Sequence, residues 1–501
     1  GFSDKRFRFK LEEVPDCLSA EQLEKYRKYH ELSIETYKKV QQLNPKYETM
    51  VGDIGLKLAD EYMVAYLDMM IYQNETEAKK ELKDNIYDYF MVSFAKNYLA
   101  SCDSNAILIT YGDNDTYPLL YVQAKYHFRT DVLIVNSSLL QTSRYINRMR
   151  RPFADAGALP LTMKPEQYKD GVRDFVVFNP DNVNPPDENN RYYDLRDIMD
   201  FISSDDPSKK IEVSGSDMVN YSPSKLFKFN VNAQNVIKSK ILTEQESDDM
   251  ATEIKWKFPG PYMLKDKIIL LDALVTNNWK RPICFCISGG ESEVAGLDSY
   301  LRMQGFAYEL VPFQNQSSSL YSDAAISAPK MYSTIMHKFQ WGNMGSGVPL
   351  NKGKIYMAEN YRVIIGELAQ KLVAEGGKDS AIKVLNLCSD SIPEKTLPFD
   401  NSEVVICEAY YAAGAYDKAG IISQKLFKIY EGNVLKYNKP DPDDHYRESS
   451  LQDAQMILEK LRYDAKSYKQ DELYKDYSKR IQVFVDNGMM QKSEFPESDS
   501  K

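Results

Sequence analysis

The stretch ILITYGDNDTYPLLYVQ, residues 107–123, decides how the chain is read. A short apolar run ends at Thr110, Gly-Asp-Asn-Asp-Thr (112–116) makes a turn, and Tyr117 onward has helical spacing. A strand apolar on every residue is buried on both faces, as in a parallel sheet, and such a sheet binds ligands where its strands end. The stretch therefore predicts an α/β layer with Asp113 to Thr116 at its carboxyl edge.

Upstream, the first hundred residues read as helix. Ser19-Ala-Glu-Gln22 has the form of a capping box, and Leu23, Tyr26, Tyr37 and Val40 share one face until Asn44-Pro45. Further helices are predicted over 56–72 and 75–100. Downstream, Ala106 to Tyr111, Val132 to Asn136, Phe175 to Phe178 and Ile283 to Ile287 are nearly continuous apolar runs, the pattern of two-faced strands. Phe227, Phe229 and Val231 alternate with Lys228 and Asn230, predicting an antiparallel or edge strand with one wet face. Helices are expected over 117–127, 141–149, 194–202 and 266–277. The Pro-rich segment 179–190 reads as a surface excursion.

After Pro349 the chain turns helical, and an internal repeat emerges. Ile365, Leu368, Ala369, Leu372, Gly376, Ala381, Leu385, Cys388 and Pro393 follow the tetratricopeptide register, which recurs at Ile406, Cys407, Tyr410, Gly414, Ala419 and Leu426. Residues 396–401 lengthen the interval between the repeats, and 450–487 supplies a final helical pair. The fold class is thus α/β plus all-α. It comprises a helical lead-in (1–104), an α/β domain with a mixed, mainly parallel sheet and flanking helices (105–348), a tetratricopeptide-like helical domain (349–491) and a disordered tail (492–501).

A net charge of -10 without a long Lys/Arg run argues against nucleic acid as a partner. Arg144 to Arg151 is the densest basic spot and reads as a solvated face. No apolar window reaches the ~18 residues of a spanning helix, so the piece is expected to be soluble by itself. Gly1 in place of an initiator Met is expected of a processed chain or a fragment. Six scattered cysteines and four histidines, with no Cys-x-x-Cys, support neither a disulfide framework nor a zinc site. The 36 tyrosines, many at helical spacing, are expected to pack at core edges.

Three readings of residues 112–116 stand open. Asp113 and Asp115 could hold Mg²⁺ or Mn²⁺, as the Asp-x-Asp of nucleotide-sugar glycosyltransferases does, although those enzymes reach it after a nucleotide-binding half and not after a hundred helical residues. Alternatively Asp113, Asn114, Asp115 and Thr116 would bind a sugar or other polar ligand directly, with Asn136, Ser137 and Ser138 from the next strand end. Thirdly the turn is structural: Gly112 supplies an unusual backbone angle, one Asp caps the helix and Pro118 suits its first turn. Trp279 and Arg281, in Thr276-Asn-Asn-Trp-Lys-Arg-Pro282, read either as a packed loop or as a stacking surface for a saccharide or peptide. Gly289-Gly290 after the next strand has too few glycines for a phosphate loop. No cofactor is implied.

Taken together, 105–119, 129–140, 276–282 and 305–312 resemble the soluble C-terminal region of a family of large bacterial membrane proteins long known only as a domain of unknown function. The family's multi-spanning N-terminal half is similar to lipid-sugar-dependent glycosyltransferases, and its vertebrate relative is a protein O-mannosyltransferase. The resemblance covers the chain from Asn105 onward. It implies that catalysis lies in a membrane half absent from this chain, so no catalytic residue is assigned here. It further implies a place on the periplasmic side of the inner membrane, with the partners being that membrane half and an acceptor protein or glycan. The alternatives are a stand-alone metal-dependent sugar-processing enzyme using Asp113 and Asp115, and a periplasmic interaction scaffold working through the repeats.

Overall fold

A computed structural model describes residues 17–178, 191–213, 217–315, 325–439 and 445–490. The 179–190 excursion and the 492–501 tail lie outside the described residues. The chain forms two compact units, one through Gly342 and one from Asn343.

The first unit is built on a six-stranded sheet in the order Ala325–Ile326, Leu301–Met303, Ala307–Leu310, Ile283–Cys286, Ile107–Thr110, Leu133–Asn136. The last three strands are parallel, with Ile283 beside Ile107 and Ile107 beside Leu133. Every residue of these three strands is buried, as their mainly apolar sequences require. Leu301–Met303 and Ala307–Leu310 make the sheet mixed through antiparallel pairing. Their connection passes through Gly305 at φ +81, where a Cβ would lie 2.5 Å from the Ser101 hydroxyl.

The lead-in helices belong to this same unit. Ala20–Leu43 opens on the expected capping box, with Ser19 and Gln22 satisfying each other's backbone N–H. Ile54–Tyr72 is capped by Asp53, whose carboxylate accepts from Gly55 and Leu56. The single helix expected over 75–100 is two, Glu75–Glu81 and Tyr89–Ala100. Asn85 adopts a left-handed φ of 56, and Asp88 starts the second helix by accepting from Met91 N–H. Tyr89–Ala100 covers the sheet, its Tyr98 ring stacked on Phe306 and Phe94 tilted against the same ring.

Phe175–Phe178 departs from its two-faced reading. It lies in a separate four-stranded sheet between Tyr262–Leu264 and Asp217–Ser222, with Phe175 exposed while Val176 and Phe178 are buried. Leu226–Asn230 is antiparallel to Glu253–Lys257 with Phe227 and Phe229 inward, as the alternation predicts. However, Tyr193–Asp194 pairs on its other side, so it is a central strand of three and not an edge.

The second unit is all-helical: Lys352–Ala374, Lys378–Ser391, Ser402–Ala413, Tyr416–Tyr437, Arg447–Ser467 and Asp471–Asp486 form stacked pairs. Gly376 and Gly414 carry the left-handed turns between partners, at φ +86 and +84, while Ala381 and Ala419 are fully buried where helices meet. One side chain reaches across to residues 396–401. The Arg362 guanidinium donates to the carbonyls of Leu397 (2.6 Å) and Pro398 (2.9 Å) and pairs with Glu403 at 2.7 Å. No helix among the described residues is long and apolar enough to cross a membrane.

Candidate functional site

The parallel strands Ile107–Thr110, Leu133–Asn136 and Ile283–Cys286 all end at one edge, and the Gly-Asp-Asn-Asp-Thr turn lies there. Asp115, 5% exposed, accepts from the N–H of Gly112 at 2.8 Å and of Tyr111 at 3.3 Å, and from the Ser288 hydroxyl. Burial pushes its carboxyl above the usual range, against those three donors. Asp115 thus ties the ends of two strands together instead of capping the following helix. Tyr117 N–H finds the Asp113 carbonyl for that purpose, at 2.9 Å. Nor does Gly112 supply an unusual angle: it lacks a left-handed φ, and a Cβ there would meet only the Asp115 carboxylate, at 3.7 Å.

Thr116 is the second knot. Its hydroxyl donates to the Gly112 carbonyl (2.7 Å) and accepts from the Asn136 amide (2.9 Å), and the Thr110 hydroxyl lies 2.8 Å away. The Asn136 side-chain oxygen Oδ1 accepts from Leu139 N–H at 3.0 Å. Asn114 turns away and donates to the Val51 carbonyl at 2.7 Å. Asp113 faces Lys57 at 4.0 Å, and burial raises its carboxyl despite that lysine. The two carboxylates therefore diverge, one toward Lys57 and one toward Ser288. The shared metal ion of the first reading has no geometric support, and no group of three or more His, Cys, Asp or Glu among the described residues is placed to hold a metal.

What the edge does assemble is a different set. Ser137 donates to Asp266 at 3.1 Å, and Lys267 bridges Asp266 (2.9 Å) and Glu293 (2.5 Å). Asp266 and Lys267 start the helix Lys265–Asn277 yet are only 5% and 8% exposed. The Tyr111 hydroxyl is buried without a hydrogen-bond partner, as is the second oxygen of Asp266. Burial raises the Tyr111 phenol, and Cys286, Glu293, Asp115 and Asp266 push it the same way. Ser138 donates to the Tyr111 carbonyl at 3.1 Å, and Ser138, Ser288 and Gly290 are exposed at the rim. Gly289 is required here, because a Cβ would lie 2.1 Å from the Tyr111 ring. Serine hydroxyls, an unpartnered phenol and an ammonium between two carboxylates offer donors and acceptors in balance, which suits a hydroxyl- or amide-rich ligand.

Of the residues singled out from sequence, Asp115, Thr116, Asn136 and Ser137 meet at this edge. Trp279 and Arg281 do not. They precede Ile283–Cys286 and so occupy the opposite, amino edge of the sheet. Trp279 is 2% exposed, stacked on Phe229, and its indole N–H donates to the Asn230 carbonyl at 3.0 Å. The Arg281 guanidinium is occupied by the carbonyls of Asn105, Gly157, Ala158 and Ala106. Both are packing residues, which corrects the stacking-surface reading. Tyr111, Asp266, Lys267, Ser288 and Glu293 escaped sequence reasoning. The available signal for two of them was the charged run Lys265-Asp266-Lys267 opening a mainly apolar helix.

The cluster thus sits at the carboxyl edge of the mixed sheet of an α/β domain. Residues 91–328, which contain the whole cluster, match the family model described as TMEM260-associated domain 2, so the chain carries a TMEM260-associated domain. No curated protein and no solved structure matches the chain.

Proposed function

We propose that this chain is the acceptor-binding part of a membrane glycosyltransferase of the protein O-mannosyl type, acting on the periplasmic side of the inner membrane. Transfer chemistry belongs to a membrane-spanning half, and the carboxyl-edge cluster takes a Ser/Thr-bearing segment of the acceptor protein or its glycan. The observation that carries this reading is the unsatisfied Tyr111 hydroxyl and Asp266 oxygen among rim serines. The TMEM260-associated match over the same residues supports it, together with the sequence resemblance to the soluble region of such transferases.

The test is calorimetric titration of the whole chain with a Ser/Thr-rich peptide and with its O-mannosylated form. Binding of either, weakened about three- to tenfold in Tyr111→Phe by loss of one hydroxyl hydrogen bond, is the expected result. No heat with either ligand at millimolar concentration, or unaltered affinity in Tyr111→Phe, overturns the assignment.

A further inference from the structure

A cavity of about 510 Å³ opens at the amino edge of the six-stranded sheet, where Asn105 and Pro282 lead into the strands Ile107–Thr110 and Ile283–Cys286. Its walls come from three separate segments, 103–105, 235–240 and 280–282. Hydrogen bonds tie these segments together. The Asn235 side-chain amide donates to the Asn278 carbonyl at 2.8 Å, in the loop that carries Lys280, and the Arg281 guanidinium donates to the Asn105 carbonyl at 2.8 Å. Asn105 and Lys240 hold left-handed φ of 60 and 62, a backbone that lysine in particular rarely adopts and that its surroundings must fix. The Asp131 carboxylate takes the Asn105 N–H at 2.8 Å, and the Ile237 carbonyl takes the Lys240 N–H at 3.1 Å. The cavity is therefore preformed.

Lys238 and Lys240 line one wall and Lys280 another, and all three are exposed. Among the described residues none of the three forms an ion pair. The acids that border the cavity have cations of their own. Asp103, the one carboxylate in the lining, is engaged by Lys330 of the helix Ala328–Lys338, and Asp131 is paired with Arg129 at 2.7 Å. Three ammonium groups thus share one volume without an acid assigned to them. They repel one another across it, and an anion placed between them relieves that repulsion.

We propose that this cavity binds a phosphate monoester. Its dianion presents three terminal oxygens, and ammonium groups are point-charge donors that meet such oxygens one at a time, without the fixed fork of arginine. Ser104, Ser239 and Asn105 line the same cavity and offer hydroxyl and amide groups to the esterified part. The volume lies within the usual range of small-molecule sites, so a phosphate and a small polar body fit together. The inference is independent of the acceptor-site reading, because the two sites lie at opposite edges of the sheet and share no residue.

The whole chain is titrated by calorimetry at low ionic strength with inorganic phosphate, with glucose 6-phosphate and with glucose. Both phosphates should bind and glucose should not. Affinity should fall about two- to fivefold in Lys240→Gln and in Lys280→Gln, and about tenfold in the double variant. Tyr111→Phe, at the other edge, should leave phosphate binding unchanged. Because the lysines are exposed, the Gln variants should keep the melting temperature of the parent chain, which separates loss of binding from unfolding. Absence of phosphate binding at millimolar concentration, glucose binding as tightly as its phosphate, or affinity retained in the double variant overturns the proposal.

Discussion

Two glycines in the helical unit should respond in opposite directions to the same substitution. Replacing a mid-helix glycine by alanine gains about 1 kcal/mol of intrinsic helix stability wherever the new methyl has room. Gly432, exposed in Tyr416–Tyr437, has nothing within 4 Å of a Cβ, so Gly432→Ala should stabilise the unit by about that amount. A Cβ at Gly366, in Lys352–Ala374, would lie 2.5 Å from Val405 Cγ1 and 3.2 Å from the Val405 backbone carbon. Ordinary carbon contacts begin near 3.5 Å, so the overlap is about 1 Å, and a rotamer change at Val405 cannot relieve the backbone part. Forcing two packed helices apart costs about 1–3 kcal/mol, which leaves Gly366→Ala destabilised by about 0–2 kcal/mol after the helix gain. The two variants should therefore differ by about 1–3 kcal/mol. Hydrogen exchange over Lys352–Ala374 and Ser402–Ala413, read by mass spectrometry, reports this unit separately from the other. Equal protection in both variants would refute the close-packing argument.

Three further outcomes follow from buried groups. Asp60 is fully buried against the Tyr87 hydroxyl at 2.6 Å, and its carboxyl is pushed up to about 8 by burial. With an unfolded value near 3.9, its folded form holds the proton more tightly, so its contribution is complete below about pH 4 and lost as pH rises through about 8. Asp60→Asn should flatten urea-unfolding stability across that window by up to about 1.4 kcal/mol per pH unit, and an unchanged profile would remove Asp60 as the titrating group. Thr116→Val strands the Asn136 amide and the Thr110 hydroxyl, and should cost about 1–3 kcal/mol in the same assay. Trp279→Ala empties a buried, stacked position and should cost about 3–5 kcal/mol, whereas a loss of ligand binding without loss of stability would restore the stacking reading.

The parallel strands were legible because Ile107, Leu133 and Ile283 open apolar runs, the pattern that two-faced burial produces. The stacked helices were legible from small residues at Ala381 and Ala419, whose spacing is a packing constraint. Phe175–Phe178 misled, since four consecutive apolar residues do not reveal that Phe175 is left in solvent. The edge cluster was half visible. Asp115 and Ser137 follow strands directly, but their partners Ser288 and Asp266 lie well over a hundred residues further along, and nothing local marks that meeting. Tyrosines expected at core edges are in several cases fully inside, as at Tyr98, Tyr361 and Tyr477, because large aromatic rings fill interior volume even while carrying a hydroxyl. Trp279 and Arg281 looked like a binding pair only because sequence conceals which strand end a loop occupies.

Repeat stacks are normally modular, each pair of helices touching only its neighbours, so that units can be removed or added without disturbing the rest. Arg362 works against that freedom. Its guanidinium reaches from the opening helix to the carbonyls of Leu397 and Pro398 and to Glu403, beyond the turn that closes the first pair. Excising the first pair would leave Glu403 buried without its cation, and excising the second would take from buried Arg362 its close partner Glu403 and leave only Asp400, at 3.6 Å. The opening three helices are thus one indivisible piece for any engineer who wishes to shorten, extend or transplant this stack, and the usable joints begin only after Ala413.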